Sequence, residues 1–321
     1  MRQLRALLVH RGQWYRYQRI DGGFAYPTPE FEAAHRAVDK TFQLDLHECR
    51  DYDLVWWDDG KHRGRTHYFT PLRGPERPVP VVAHFLYPTL TEGHFQARYE
   101  RGRNNADMVL LDHGDLALWR DVGVPVAYCP YSVNEHYYCP PADGQKGVDV
   151  CFPGVWAYSP ERRALDAWLS RHCEARGWTY QTTGGVDIGM AYRELLADSK
   201  VVVHLARTPQ TRPPRLLDAS ACGAAVLASR VPPVPGEDWT DGERYVAFDA
   251  PQAYYHSAPH EDSPTYIDAD CAQIAAGLDW LLGEGHWVEV AAAARAYVLT
   301  EHIWAVRSRQ LRETLKEGLG L

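Results

Sequence analysis

Short apolar runs alternate with amphipathic or polar stretches along most of the chain. In the first half, residues 4–10, 42–46, 53–57, 79–85, 107–111 and 124–128 read as strands. Residues 30–39, 92–105 and 115–121 have helical composition, the first of them following Pro27-Thr28-Pro29. The second half repeats the alternation more sharply. Strands are predicted over 148–153, 178–182, 200–205, 224–228 and 244–248. Helices are predicted over 159–176, 190–198, 215–222, 271–283, 287–299 and 303–316, with Gly177 and Gly223 as stops. Runs such as Lys200-Val-Val-Val-His-Leu205 are almost wholly apolar, which suits strands buried on both faces. Strands alternating with helices imply parallel sheets covered by helices, joined by right-handed crossovers.

A Pro/Gly-rich polar stretch at 139–147 interrupts the pattern, and the alternation restarts right after it. It reads as an interdomain linker, with an ordinary loop as the alternative. The expected organisation is a Rossmann-like domain over 1–140, a second over 148–300, and a last helix over 301–321. Residues 250–268, rich in Tyr, His, Pro and acidic groups, look like an inserted loop.

The chain has 321 residues, long enough for two such cores. At 45% apolar and 24% charged residues it has the composition of a soluble globular protein. A net charge of -8 argues against broad nucleic-acid binding through a basic surface, though not against a local basic cleft. The clusters Lys61/Arg63/Arg65 and Arg98/Arg101/Arg103 read as solvated faces or as short nucleic-acid tracks. Seven cysteines without a CxxC pair point to reduced, buried thiols rather than a disulfide framework or a structural zinc site. The apolar N-terminal run is too short for a signal peptide, and no stretch reaches the ~18 apolar residues of a membrane span. A cytoplasmic location is expected.

The segment with the most chemistry runs from 201 to 229. A buried strand leads into a loop carrying Arg207 and Arg212. Pro213-Pro214 then stiffens the entry to a helix bearing Arg215 and Asp218. Three guanidinium groups at a strand's C-terminal end, beside a helix N-terminus, can grip and neutralise a diphosphate. Ligands of open α/β sheets bind at that edge. The plainer alternative is a basic loop on a solvated face. Gly154, after the strand at 148–153, either lets backbone approach a ligand or simply makes a turn. In the first half, His84, Asp59 and His10 stand at predicted strand ends and are the candidate catalytic residues, or else satisfied structural ones. His10-Arg11-Gly12 follows the first predicted strand. The same residues lack the GxGxxG of a dinucleotide-dependent oxidoreductase or epimerase. Asp268-Ala269-Asp270 has the letters of a metal-binding DxD but lies at the end of the inserted loop, so no metal site is expected.

Arg215-Leu-Leu-Asp-Ala-Ser-Ala-Cys-Gly223, followed by Val226-Leu-Ala-Ser229, resembles the R-x-x-E-A-x-A-C-G signature of retaining GT-B glycosyltransferases. Asp149-Val-Cys-Phe-Pro-Gly154, the block 236–247, and the positions Ala294-Arg295, His302 and Arg307 are similar to the CgeB-like (spore-maturation-protein-like) group of these enzymes, over residues 149–312. The resemblance implies two facing Rossmann-like domains with parallel sheets and a C-terminal helix crossing back to the first. It also implies a metal-independent transfer of a sugar, with retention, from a nucleotide-diphosphate sugar held by the second domain. The donor is then a co-substrate and no cofactor is needed. Gly154, Arg207, Gln210, Arg212, Arg215 and Asp218 would be the donor-binding set, with Asp218 on the ribose hydroxyls. Two positions depart from the pattern. Asp218 stands where the group has glutamate, and Gln210 where related enzymes carry a second one. A GT-B-like binding protein that has lost catalysis is the alternative these departures keep open. The acceptor stays open between a glycan, a metabolite, a protein and a modified DNA base. For a phage-encoded member the place of action would be the host cytoplasm.

Overall fold

In the computed structural model, residues 6–10, 13–16, 54–58, 80–85, 99, 103, 106–111, 116, 119–129, 132–154, 160–183, 190–206, 214–234, 236–250 and 271–320 are described. The helix predicted over 30–39, the strand over 42–46 and the inserted loop lie outside them. Contacts divide the chain into two units: Met1–Ser132 together with Trp304–Leu321, and Val133–Ile303.

The first unit holds a sheet of β1 (Ala6–His10), β2 (Gln13–Arg16), β3 (Leu54–Asp58), β4 (Val81–Phe85), β5 (Met108–Leu111) and β6 (Val126–Tyr128). Its order is β2-β1-β3-β4-β5-β6. Neighbours are parallel except for β1 and β2, which run antiparallel with His10 opposite Gln13. β2, Gln-Trp-Tyr-Arg, is an edge strand that the alternation does not predict. In β5, Met108 to Leu111 are all buried, as a covered parallel strand requires.

The second unit is built from β7 (Val148–Cys151), α1 (Pro160–Arg176), β8 (Tyr180–Gln181), α2 (Met190–Asp198), β9 (Ser199–His204), α3 (Pro214–Ala221), β10 (Ala225–Ser229) and β11 (Val246–Phe248). It ends with α4 (Ala272–Leu278), a π-helical turn at Asp279–Gly283, and α5 (Trp287–Glu301). The sheet order is β11-β10-β9-β7-β8, parallel throughout. Val201–Val203 and the strand from Ala225 to Ala228 are inaccessible, so the middle of this sheet is covered on both faces. α1 seats Leu165, Trp168, Leu169 and Cys173 on the sheet, positions spaced three and four apart as one helical face demands. It closes in a Schellman motif: Gly177 at φ 70, with Trp178 N–H bonded to the Cys173 carbonyl and Gly177 N–H to that of Glu174. α3 closes the same way at Gly223, with bonds from Ala224 to Ala219 and from Gly223 to Ser220.

The polar stretch before β7 is not a loose tether. Lys146 donates to the carbonyls of Ala197 (2.7 Å) and Cys222 (3.2 Å), capping the C-terminal ends of α2 and α3 together. Gly147 N–H bonds Asp198 at 2.7 Å, and Arg193 Nε bonds the Tyr137 carbonyl at 2.9 Å. Before this stretch Val133 bridges Ile303, and its N–H donates to the His302 carbonyl. His302 is fully buried with Glu237, whose carboxylate lies 3.9 Å from its Nδ1.

The final helix, α6 (Trp304–Leu319), belongs to the first unit. Leu311 and Leu315 are buried, and Gly318 lies so close to β5 that a Cβ there would fall 2.6 Å from the Met108 sulfur.

Candidate functional site

In a parallel sheet every strand ends on the same edge, and in the second unit that edge gathers the polar groups. Gly154 follows β7 by three residues with φ at +150°, a conformation side chains rarely adopt. Its N–H donates to the Thr183 hydroxyl, just after β8, at 3.2 Å. A Cβ at 154 would lie 2.9 Å from Arg162 Nη1 and 3.6 Å from Arg215 Nη2. Two guanidinium groups therefore flank one bare stretch of backbone.

Each guanidinium is held from behind. Arg162, in the first turn of α1 and 7% exposed, donates through Nη2 to the Leu205 carbonyl and lies over the Phe152 ring at 5.9 Å. Arg215, in the first turn of α3, has Nη1 at 2.8 Å from His204 Nδ1 and its guanidinium 5.7 Å from the Tyr192 ring centre. Its Nε is buried with no hydrogen-bond partner among the described residues. Asp218 stands three residues on, half-buried, and accepts a 3.3 Å bond from the Tyr192 hydroxyl. Burial pushes its carboxyl up to about 7, against the opposite pull of Arg215 and of the Tyr192 bond. Burial, with Asp218 adding to it, pushes the Tyr192 phenol upward, so that it stays a donor.

The arrangement offers two fixed cations beside exposed backbone, a geometry for a bidentate oxyanion. A carboxylate one turn away can accept hydroxyl donors when ionised. Among the described residues, no group of three or more His, Cys, Asp or Glu could hold a metal ion, and no helix is long and apolar enough to cross a membrane.

Of the donor-binding set read from sequence, the structure brings together Gly154, Arg215 and Asp218. Arg207, Gln210 and Arg212 lie outside the described residues, as does Asp59. His10 and His84 are placed by their backbone in the first unit. The parallel register sets His10 level with Asp58 of β3, and Asp58 level with His84 of β4, so the three form one row. Arg162, Tyr192, His204 and Thr183 are the residues that sequence reasoning did not single out. Arg162 and Arg163 are adjacent and identical, but only Arg162 turns inward, while Arg163 is exposed. An arginine one turn into the helix after Gly154 was the available signal. His204 sits inside a run that reads as a plain apolar strand.

A parallel sheet with intervening helices in the second unit, a largely parallel sheet in the first, and a C-terminal helix counted with the first unit fit the GT-B class of α/β fold, to which the similar solved structures belong. Residues 161–313 match the family model described as glycosyl transferase-like, a span that contains Arg162, His204, Arg215 and Asp218. No curated protein matches the chain. Among solved structures, HepE of Anabaena in complex with UDP and glucose is similar with a TM-score of 0.59 and 12% identity, over 85% of this chain and 80% of that one. A glycosyltransferase from Rickettsia africae is similar with a TM-score of 0.53 and 13% identity, over 92% and 83%. Sucrose-phosphate synthase from Thermosynechococcus elongatus follows with a TM-score of 0.52 and 14% identity, over 90% and 77%.

Proposed function

We propose that the protein is a glycosyltransferase whose second unit holds a nucleotide-diphosphate sugar. Arg162 and Arg215 take the diphosphate beside Gly154, and Asp218 takes the ribose hydroxyls. The carrying observation is the pair of guanidinium groups within 3.6 Å of the space a Gly154 side chain would fill. The glycosyl transferase-like match over 161–313 and the UDP-bound HepE structure support this reading.

When the sugar leaves, negative charge grows on the departing diphosphate. Fixed cations aimed at that charge lower the barrier, because they need no rearrangement as it forms. Arg162 and Arg215 can supply it without a divalent ion, and we assign a metal-independent reaction in which the donor is co-substrate and no cofactor takes part. Retention of configuration, and membership of the CgeB-like group, rest on the motifs around Asp149–Gly154 and Arg215–Gly223. In the first unit, the row of His10, Asp58 and His84, with Asp59 next in sequence, is the proposed source of an acid–base group. We place the protein in the cytoplasm, in keeping with the buried, unbridged thiols of Cys151, Cys173 and Cys222.

A thermal-shift screen with UDP-, GDP-, TDP- and ADP-sugars, with and without EDTA, tests this. One nucleotide family should raise Tm, EDTA should leave the shift unchanged, and Arg215→Ala should abolish it. Absence of any shift overturns the reading. Binding with no release of nucleoside diphosphate in the presence of acceptors would instead indicate a GT-B-like binding protein, the role that Asp218 and Gln210 would suit in place of two glutamates.

A further inference from the structure

On the reading that the two arginines take the donor's diphosphate, we propose that His204 is the positioning residue for Arg215. It fixes the guanidinium beside Gly154 without cancelling its charge. A guanidinium has only donors, so at 2.8 Å from Arg215 Nη1 the His204 Nδ1 must be the acceptor, in a neutral ring with its proton on Nε2. His204 closes β9, is 5% exposed, and is paired in register with Ala228 of β10. The imidazole is thus mounted on the covered centre of the sheet. The following residue, Leu205, holds Arg162 through its carbonyl. Ala206 N–H bonds the Ser229 hydroxyl at 2.9 Å, which keeps this strand end in line with β10. Two consecutive residues, one by side chain and one by main chain, set the separation of the two cations.

The Tyr192 ring supports one face of Arg215. The bond that Arg215 donates to His204 Nδ1 adds a contact in the guanidinium plane itself. A carboxylate at 204 would also orient Arg215, but it would spend the positive charge that a diphosphate has to meet. Asp218, the acidic neighbour, has the Tyr192 hydroxyl as its partner. The division of partners keeps the cation held and still charged.

The test is calorimetric titration of the full chain with UDP, GDP, TDP and ADP and with the matching monophosphates. His204→Leu should weaken the bound diphosphate on the order of tenfold while the monophosphate changes much less. His204→Gln, a neutral acceptor, should recover most of the loss. His204→Glu should not, because it cancels the charge. An unchanged diphosphate-to-monophosphate ratio in His204→Leu overturns the proposal, as does full affinity in His204→Glu. If His204→Leu does not fold, the Gln and Glu variants decide between these outcomes. If the wild-type chain binds none of the nucleotides, the donor reading itself fails. A melting cycle of His204→Gln against Arg215→Lys then decides the pairing: coupled losses retain it and additive losses overturn it.

Discussion

Gly154 and Arg162 are so close that the hydrogen standing in place of a side chain at 154 is a requirement of the site. A methyl there would sit 2.9 Å from Arg162 Nη1, and that nitrogen can retreat only by disturbing the guanidinium's bond to Leu205. The φ of +150° adds backbone strain for any L-residue. Gly154→Ala should destabilise the chain by about 1–3 kcal/mol. It should weaken nucleoside-diphosphate binding at least about tenfold, by displacing the cation and filling the approach. Urea unfolding and calorimetry measure the two effects separately.

Arg162 and Arg163 provide an internal control. Arg162→Ala removes a buried cation and leaves the Leu205 carbonyl without it, so the Tm shift with nucleotide should vanish. Arg163 is exposed, and Arg163→Ala should leave stability within about 0.5 kcal/mol of wild type and the nucleotide shift intact. Equal losses from the two changes would remove Arg162 from the site.

Asp218 gives the site a pH signature. Its folded-state carboxyl titrates at about 7, well above the ~3.9 of an unfolded aspartate. Between those values the folded chain binds more protons than the unfolded one, so stability falls as pH rises from about 4 to about 7. Asp218→Asn removes this term, and its Tm relative to wild type should therefore rise from pH 5 to pH 8. Binding should move the opposite way. An ionised Asp218 accepts ribose hydroxyls better, so the wild-type advantage over Asp218→Asn in nucleotide affinity should grow between pH 6 and pH 8. Comparing the two proteins cancels the nucleotide's own titration.

Lys146 predicts a purely structural loss. Its ammonium satisfies carbonyls at the ends of two helices, and burial lowers its pKa against the pull of Cys222, Cys151 and Asp198. Lys146→Met keeps the apolar stem and removes both bonds. A decrease of about 1–3 kcal/mol in urea unfolding is expected, with nucleotide affinity per folded molecule unchanged.

The sequence made the centre of the second unit's scaffold readable because its middle strands are covered on both faces. Val201–Val203 and Ala225–Ala228 leave no room for a polar residue, and Gly177 and Gly223 stop their helices by a mechanism local enough to see in the letters. Three features were illegible for physical reasons. β2 is a short edge strand of mixed polarity, paired on one side only, with β1. The π-helical turn at Asp279–Gly283 continues α4 without a break and so hides inside the predicted helix. Arg162 and His204 act through where they point, and only the packing of α1 and the end of β9 fixes that direction. Arg215 and Asp218 could be singled out because they lie three apart in the first turns of a helix that follows a strand and a loop.

The first unit also draws its last helix from beyond the second. β5 receives Gly318 against Met108 only after every residue of Val133–Ile303 has been made. During synthesis the second unit can close its sheet and helices while the first still lacks a wall. The unit whose strands are made first therefore gains this helix only after the second unit has been synthesised.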